Sequence, residues 1–243
     1  MKRLLTTLLI VLFSIYGLNA QRRGGRGLVD RSQESNSYLT FSFGPEYCQS
    51  DTQGTLWNQI PFIGNDANNG LFDYDMSIGF RTTYANNLGY KVAFNYSSFG
   101  GNDIGSKYAR RYEYSSNVLQ LAVQGEYYVK IGRQYYYKPT PNSIYIFIGV
   151  GVLSANANLN HDILSHYVYG KNTIAPVIPL GLGYQYNFNN NFLIGVEFNG
   201  RYPITDLIDG FKPPYPDSKS NDIMGGISFT VSYFLGANYL KRN

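Results

Sequence analysis

Residues able to do chemistry are few in this chain. The one cluster of catalytic or metal-ligand types is His161, Asp162, Ser165 and His166. A His beside a Ser or an acid can activate a nucleophile, as in a lipid-modifying enzyme working at a membrane rim. The spacing matches no zinc helix motif, and nothing around it fixes the geometry that acid–base chemistry needs. No nucleophile elbow, phosphate loop or EF-hand sequence is present. Solvated loop histidines are the simpler reading. The expectation is therefore a non-enzyme with no cofactor, no metal and no evident small-molecule substrate. A second set of residues is more orderly. Glu46, Asp73, Asp75, Arg81, Lys91, Glu126, Lys130, Glu197 and Arg201 each stand on the polar side of a segment that alternates polar with apolar residues. Acids and bases arranged in this way can pair, provided the segments bring them together.

The clearest such segment is residues 227–235, where Ile227, Phe229, Val231, Tyr233 and Leu235 alternate with Ser228, Thr230 and Ser232. A period of two puts one set of side chains on each face of a strand. Weaker copies recur at roughly 10-residue length, the signature of a transmembrane β-barrel. The first is Tyr38 to Tyr47, and the second sets Phe72, Tyr74, Met76, Ile78 and Phe80 against Asp73, Asp75, Ser77, Gly79 and Arg81. The third runs from Tyr90 to Ser97 and the fourth from Leu119 to Lys130. The fifth, Ile144 to Leu153, is apolar on both faces at one end; the sixth is Val177 to Tyr186, and the seventh starts at Phe192 and reaches Tyr202. Pro179 lacks a ladder donor, so a bulge or strand end is expected there.

Between these segments the connections alternate long and short. Long ones lie near 50–71, 98–115, 154–173 and 203–221, and the short ones include Ala85-Asn86-Asn87 and Asn187 to Asn191. Outer-membrane barrels have long extracellular loops and short periplasmic turns. The fold predicted is all-β, an eight-stranded antiparallel transmembrane β-barrel over residues 37–236. Its last strand should pair with its first and leave no edge. Eight strands enclose a space that side chains can fill, so the nine acids and bases should pair inside, leaving a filled polar interior and no aqueous channel.

Composition agrees. The chain has 24 Tyr, 15 Phe and 26 Gly with only 15% charged residues, which suits strands and turns and falls below the ~25% charge of soluble domains. No apolar run of about 18 residues follows residue 20, so spanning helices are not expected. Residues 1–20 read as a signal peptide: Lys2 and Arg3, then an apolar run, then Ala20 before Gln21. Loss of Lys2 and Arg3 with it lowers the formal charge from +4 to +2. A near-neutral chain has no concentrated basic face, which argues against nucleic acid as a partner. The single Cys48 allows no internal disulfide. Residues 21–36 form a Gly-rich basic arm carrying Arg22, Arg23 and Arg26, and residues 237–243 a short basic tail. Together with Tyr135, Tyr136 and Tyr137, in the connection from Ile131 to Ser143, the three arginines are the candidate periplasmic contact.

Several stretches carry a resemblance. They are Asp75-Met76-Ser77-Ile78-Gly79-Phe80, then Val118 to Glu126, then Pro179-Leu180-Gly181-Leu182-Gly183-Tyr184, then Gly195-Val196-Glu197-Phe198. The most particular is Thr205-Asp206-Leu207-Ile208-Asp209, which follows Arg201-Tyr202-Pro203-Ile204. Together they resemble the Bacteroidota outer-membrane β-barrel family that includes PorG of the type IX secretion system. The resemblance implies a cell outer membrane location and a non-enzymatic role. It also implies surrounding outer-membrane lipid, and a partner in the periplasmic PorK/PorN ring of the secretion and gliding machinery. The alternative is a general small outer-membrane barrel, an adhesin or envelope stabiliser acting through its long loops.

Overall fold

Aromatic and branched residues at every second position favour strands, and among the described residues strands are the only regular elements. The computed structural model describes residues 35–49, 73–84, 87–102, 113–131, 142–160, 172–189, 191–205, 207, 208, 210 and 222–238. Its strands are β1 (Ser35–Gln49), β2 (Tyr74–Tyr84), β3 (Leu88–Asn102), β4 (Glu113–Lys130), β5 (Ser143–Asn160), β6 (Asn172–Asn187), β7 (Phe192–Pro203) and β8 (Ile223–Asn238). Each pairs antiparallel with its neighbours, and β8 pairs with β1 to close the barrel. No helix among the described residues is long and apolar enough to cross a membrane. Following paired residues once around, from Ser37 through Thr82, Tyr90, Gly125, Ile148, Leu180, Gly200 and Gly225, returns to β1 at Tyr47, ten residues further on. A stagger of this kind goes with strongly tilted strands and a narrow interior.

Turn chemistry closes the short end. Asn87, at φ +67°, takes the left-handed conformation that Asn tolerates, and its carbonyl accepts from the Tyr128 amide at 2.7 Å. The Asn189 carboxamide accepts from the amides of Asn191 and Phe192, at 2.9 and 2.8 Å. In β6, Pro179 lies where the β5–β6 pairing is interrupted, between Ile148↔Leu180 and Gly151↔Val177. The sheet thus accommodates the missing donor with a gap in the ladder.

The strands are longer than the sequence pattern indicates, mostly toward the long loops. The residues read as loop in 98–115 and 154–173 include the ends of β3 and β5 and the starts of β4 and β6. Ser35 and Asn36 belong to β1 and not to the arm, and they pair with Asn238 and Ala237, which belong to β8 and not to the tail. Alternation marks a strand only while its faces meet different media, and it fades where both faces are polar or the phase reverses. The signal segment, Arg22, Arg23, Arg26 and Tyr135 to Tyr137 lie outside the described residues, as does the cluster from His161 to His166.

Outward side chains form an apolar band around the barrel. Phe43, Ile146, Val150 and Phe229 are 59%, 59%, 70% and 64% exposed, far more apolar exposure than a water-facing sheet would carry. Tyrosines fringe it at both ends: Tyr84, Tyr127, Tyr186 and Tyr233 toward the short turns, Tyr74, Tyr96 and Tyr202 toward the long loops. Such girdles sit at the two water interfaces of a bilayer.

Toward the long-loop end the polarity inverts. On β4, outward Leu121 and Leu119 give way to Asn117 while inward Gln124 and Gln120 give way to Val118 and Tyr114. On β5, Ser154, Asn156 and Asn158 face out and Leu153, Ala155 and Ala157 face in. The protein is thus a lipid-facing barrel with a polar interior, continued by a crown with an apolar core.

Candidate functional site

The interior holds two ion-pair networks built from distant strands. In the one nearer the short turns, Arg81 of β2 is 1% exposed. Its Nε donates to Glu126 Oε1 at 3.1 Å and its Nη2 to Glu197 Oε1 at 2.6 Å. Lys91, the register neighbour of Arg81 on β3, donates to Glu197 Oε2 at 3.1 Å. Two like charges stand side by side there, and Glu197 from across the lumen answers both. The Tyr145 hydroxyl donates to Glu197 at 2.5 Å and accepts from Arg81 at 3.2 Å, the Tyr128 hydroxyl donates to Glu126, and the Arg81 guanidinium lies 4.8 Å from the Tyr145 ring centre. Charge balance and added hydrogen bonds are what make buried ions tolerable.

Glycine makes room for these rings. Gly183 and Gly181 on β6 are the register partners of Tyr145 and Phe147. A β-carbon at Gly183 would lie 2.6 Å from the Tyr145 hydroxyl oxygen, and one at Gly181 would lie 2.5 Å from Phe147 Cζ. The Gly-x-Gly of Leu180 to Tyr184 is therefore a packing device. Gly183→Val is expected to displace Tyr145 and cost about 1–3 kcal/mol or more through overpacking. Urea titration of the barrel in lipid vesicles, with Leu182→Val on the lipid face as control, checks this.

The second network lies nearer the long loops. Arg201 of β7 pairs with Glu46 of β1 and donates to Asp75 Oδ1 of β2 at 2.8 Å. Gln120 accepts from Arg201 at 3.4 Å, and the Ser97 hydroxyl donates to Asp75 at 2.9 Å. Asp73, which precedes β2, joins neither network. Its carboxylate accepts from the Gly100 amide at 2.7 Å, and burial pushes its acid up to about 7 against that hydrogen bond. Lys130 ends β4. Between the networks a cavity of about 20 Å³, lined by Lys91, Asn95, Gln120, Gln124 and Asp75, has room for roughly one water.

Above them the lumen is apolar and stoppered. Cys48, Phe99, Val118, Leu153 and Met224 form a buried cluster with Ile208, which enters from the segment after β7. The Ile208 amide donates to Asp222 Oδ2 at 2.9 Å, and the Asp222 amide donates to the Thr205 carbonyl at 3.3 Å. Ile208 thus supplies the stopper. Sequence reading missed this apolar core. The available signal was the reversed alternation of Leu153-Ser154-Ala155-Asn156-Ala157-Asn158, apolar residues now facing in.

Chemically, this interior is a set of matched charges under an apolar stopper. Among the described residues no group of three His, Cys, Asp or Glu stands together as a metal ion would require. The packed lumen predicts that vesicles carrying the purified protein admit small sugars no faster than protein-free vesicles. Protein-dependent swelling would overturn the closed-lumen reading.

An apolar belt, a charge-paired interior and complete strand closure define a transmembrane β-barrel of the outer-membrane type. The chain belongs to the family described as Domain of unknown function (DUF6089), whose model matches residues 39–235. A search of curated protein sequences returns no match. Among solved structures, it is similar to Neisserial surface protein A, at 12% identity and a TM-score of 0.46, over 81% of this chain and 96% of that one. It is similar also to Ail, the attachment invasion locus protein of Yersinia pestis, at 12% identity and 0.44, over 83% and 99%. A third is the N-terminal β-barrel domain of Pseudomonas aeruginosa OprF, at 14% and 0.38, over 83% and 99%.

Proposed function

We propose that the protein is a non-enzymatic component of the cell outer membrane that anchors the periplasmic PorK/PorN-like ring of the type IX secretion and gliding machinery. The observation that carries an anchoring role is the sealed lumen: a barrel filled by ion pairs and stoppered by Ile208 works through what it presents at its ends. The choice of machinery draws on the sequence resemblance, including Thr205 to Asp209. In this reading Arg22, Arg23, Arg26 and Tyr135 to Tyr137 meet the ring. Deleting the gene should abolish cargo secretion and gliding, and crosslinked envelopes should yield ring proteins joined to the barrel. Normal secretion in the deletion strain would sink the assignment.

The folded crown at the long-loop end favours a second reading, an envelope stabiliser or adhesin acting outward. There, truncating the connections beyond β3, β5 and β7 should impair envelope integrity or adhesion and leave secretion intact.

A further inference from the structure

The outer wall of the crown carries side chains that neither the lipid belt nor the interior requires. Ser98, Asn117, Ser154, Asn156, Asn158 and Asn172 all face outward, each past the apolar outward residues of its own strand. Four of them form one cross-strand row: Ser98 pairs with Asn117, Asn117 with Asn156, and Asn156 with Asn172. The Tyr96 hydroxyl, in the tyrosine fringe just below, donates to Asn117 Oδ1 at 2.8 Å and fixes that carboxamide. Asn is a poor strand former, so its repeated use on these strand faces is not explained by propensity. Among the described side chains of β3–β6, none facing outward is charged.

We propose that this wall is a contact surface for the uncharged sugar headgroups of glycolipids in the leaflet beside it. The proposal takes from the preceding subsection only the outward placement of the long-loop end. Position selects a headgroup: the row starts beside Tyr96 at the top of the apolar band and, because the strands tilt, climbs toward the long loops from Ser98 to Asn172, with exposed Ile174 just below its upper end. Charge selects its chemistry: lipid phosphates are recruited by Lys and Arg, and no described side chain on this face is either. Amides and hydroxyls, at cross-strand spacings of about 4.5–5.5 Å, exchange hydrogen bonds with sugar hydroxyls in both directions, and tyrosines below offer flat apolar faces.

The test places the full chain in phosphatidylcholine nanodiscs with equal small amounts of a monogalactosyl diacylglycerol and a phosphatidylglycerol, and reads retained lipid by native mass spectrometry. The galactolipid should be retained roughly tenfold over the anionic lipid, the scale of one or two net hydrogen bonds. In Asn117→Ala/Asn156→Ala the excess should fall to near parity with folding intact. Equal retention, preference for the anionic lipid, or an unchanged variant would each overturn the sugar contact. Labelling Asn158→Cys on intact cells with an impermeant reagent reads the outward placement separately: labelling supports it, and protection overturns that placement while the nanodisc result stands on its own.

Discussion

Arg81→Met is expected to be the most damaging single truncation within the ion-pair networks, lowering the unfolding free energy of the barrel by about 3–5 kcal/mol. The cost comes from what is left behind. Glu126 loses its cation and Glu197 keeps only Lys91, both deep in a packed interior. Arg81→Lys should fall between, since it restores charge without the fork that reaches both carboxylates. The diagnostic variant is Arg81→Met/Glu126→Gln, which leaves Lys91 and Glu197 as a balanced pair. It should recover most of the loss. Urea unfolding in lipid vesicles reads all three, and a double variant worse than Arg81→Met would refute charge balance as the organising principle of the lumen.

An arginine moved along β5 should report the polarity inversion. At Val150, in the lipid belt, it is expected to cost about 2–4 kcal/mol. At Asn156, on the outer wall of the crown, it should stay within roughly 0.5 kcal/mol. At Leu153, 0% exposed in the crown core, it buries an unpaired charge and should prevent folding or cost at least as much as at Val150. Folded fraction on unheated gels and unfolding midpoints rank the three. If Asn156→Arg cost as much as Val150→Arg, the bilayer would reach higher on β5 than the tyrosine fringe indicates.

Much of this protein was legible before any coordinates. The alternation of Ile227 to Leu235 and its copies determines the strands, and long and short connections determine which ends they share. The acids and bases on the polar faces indicate a filled interior. These features are local: lipid on one side and packed polar groups on the other impose a period of two on each strand separately.

Pairing is not local. That Arg81 answers Glu126 and Glu197, while Arg201 answers Glu46 and Asp75, depends on the stagger around the closed sheet, which brings residues from 45 to more than a hundred positions apart to one level. Asp73 shares the period of Asp75 but stands outside both networks, because it lies just before β2, two residues nearer the long loops. The crown was hidden for a related reason. Its strands keep the same period with the phases exchanged, and a row of Asn and Ser facing water looks like loop until a neighbouring strand is seen to pair with it. The sequence by itself determined that an eight-stranded barrel forms and which faces are apolar. Only the tertiary structure decided which charges meet and where outside becomes inside, because both are set by the register that closure imposes across strands.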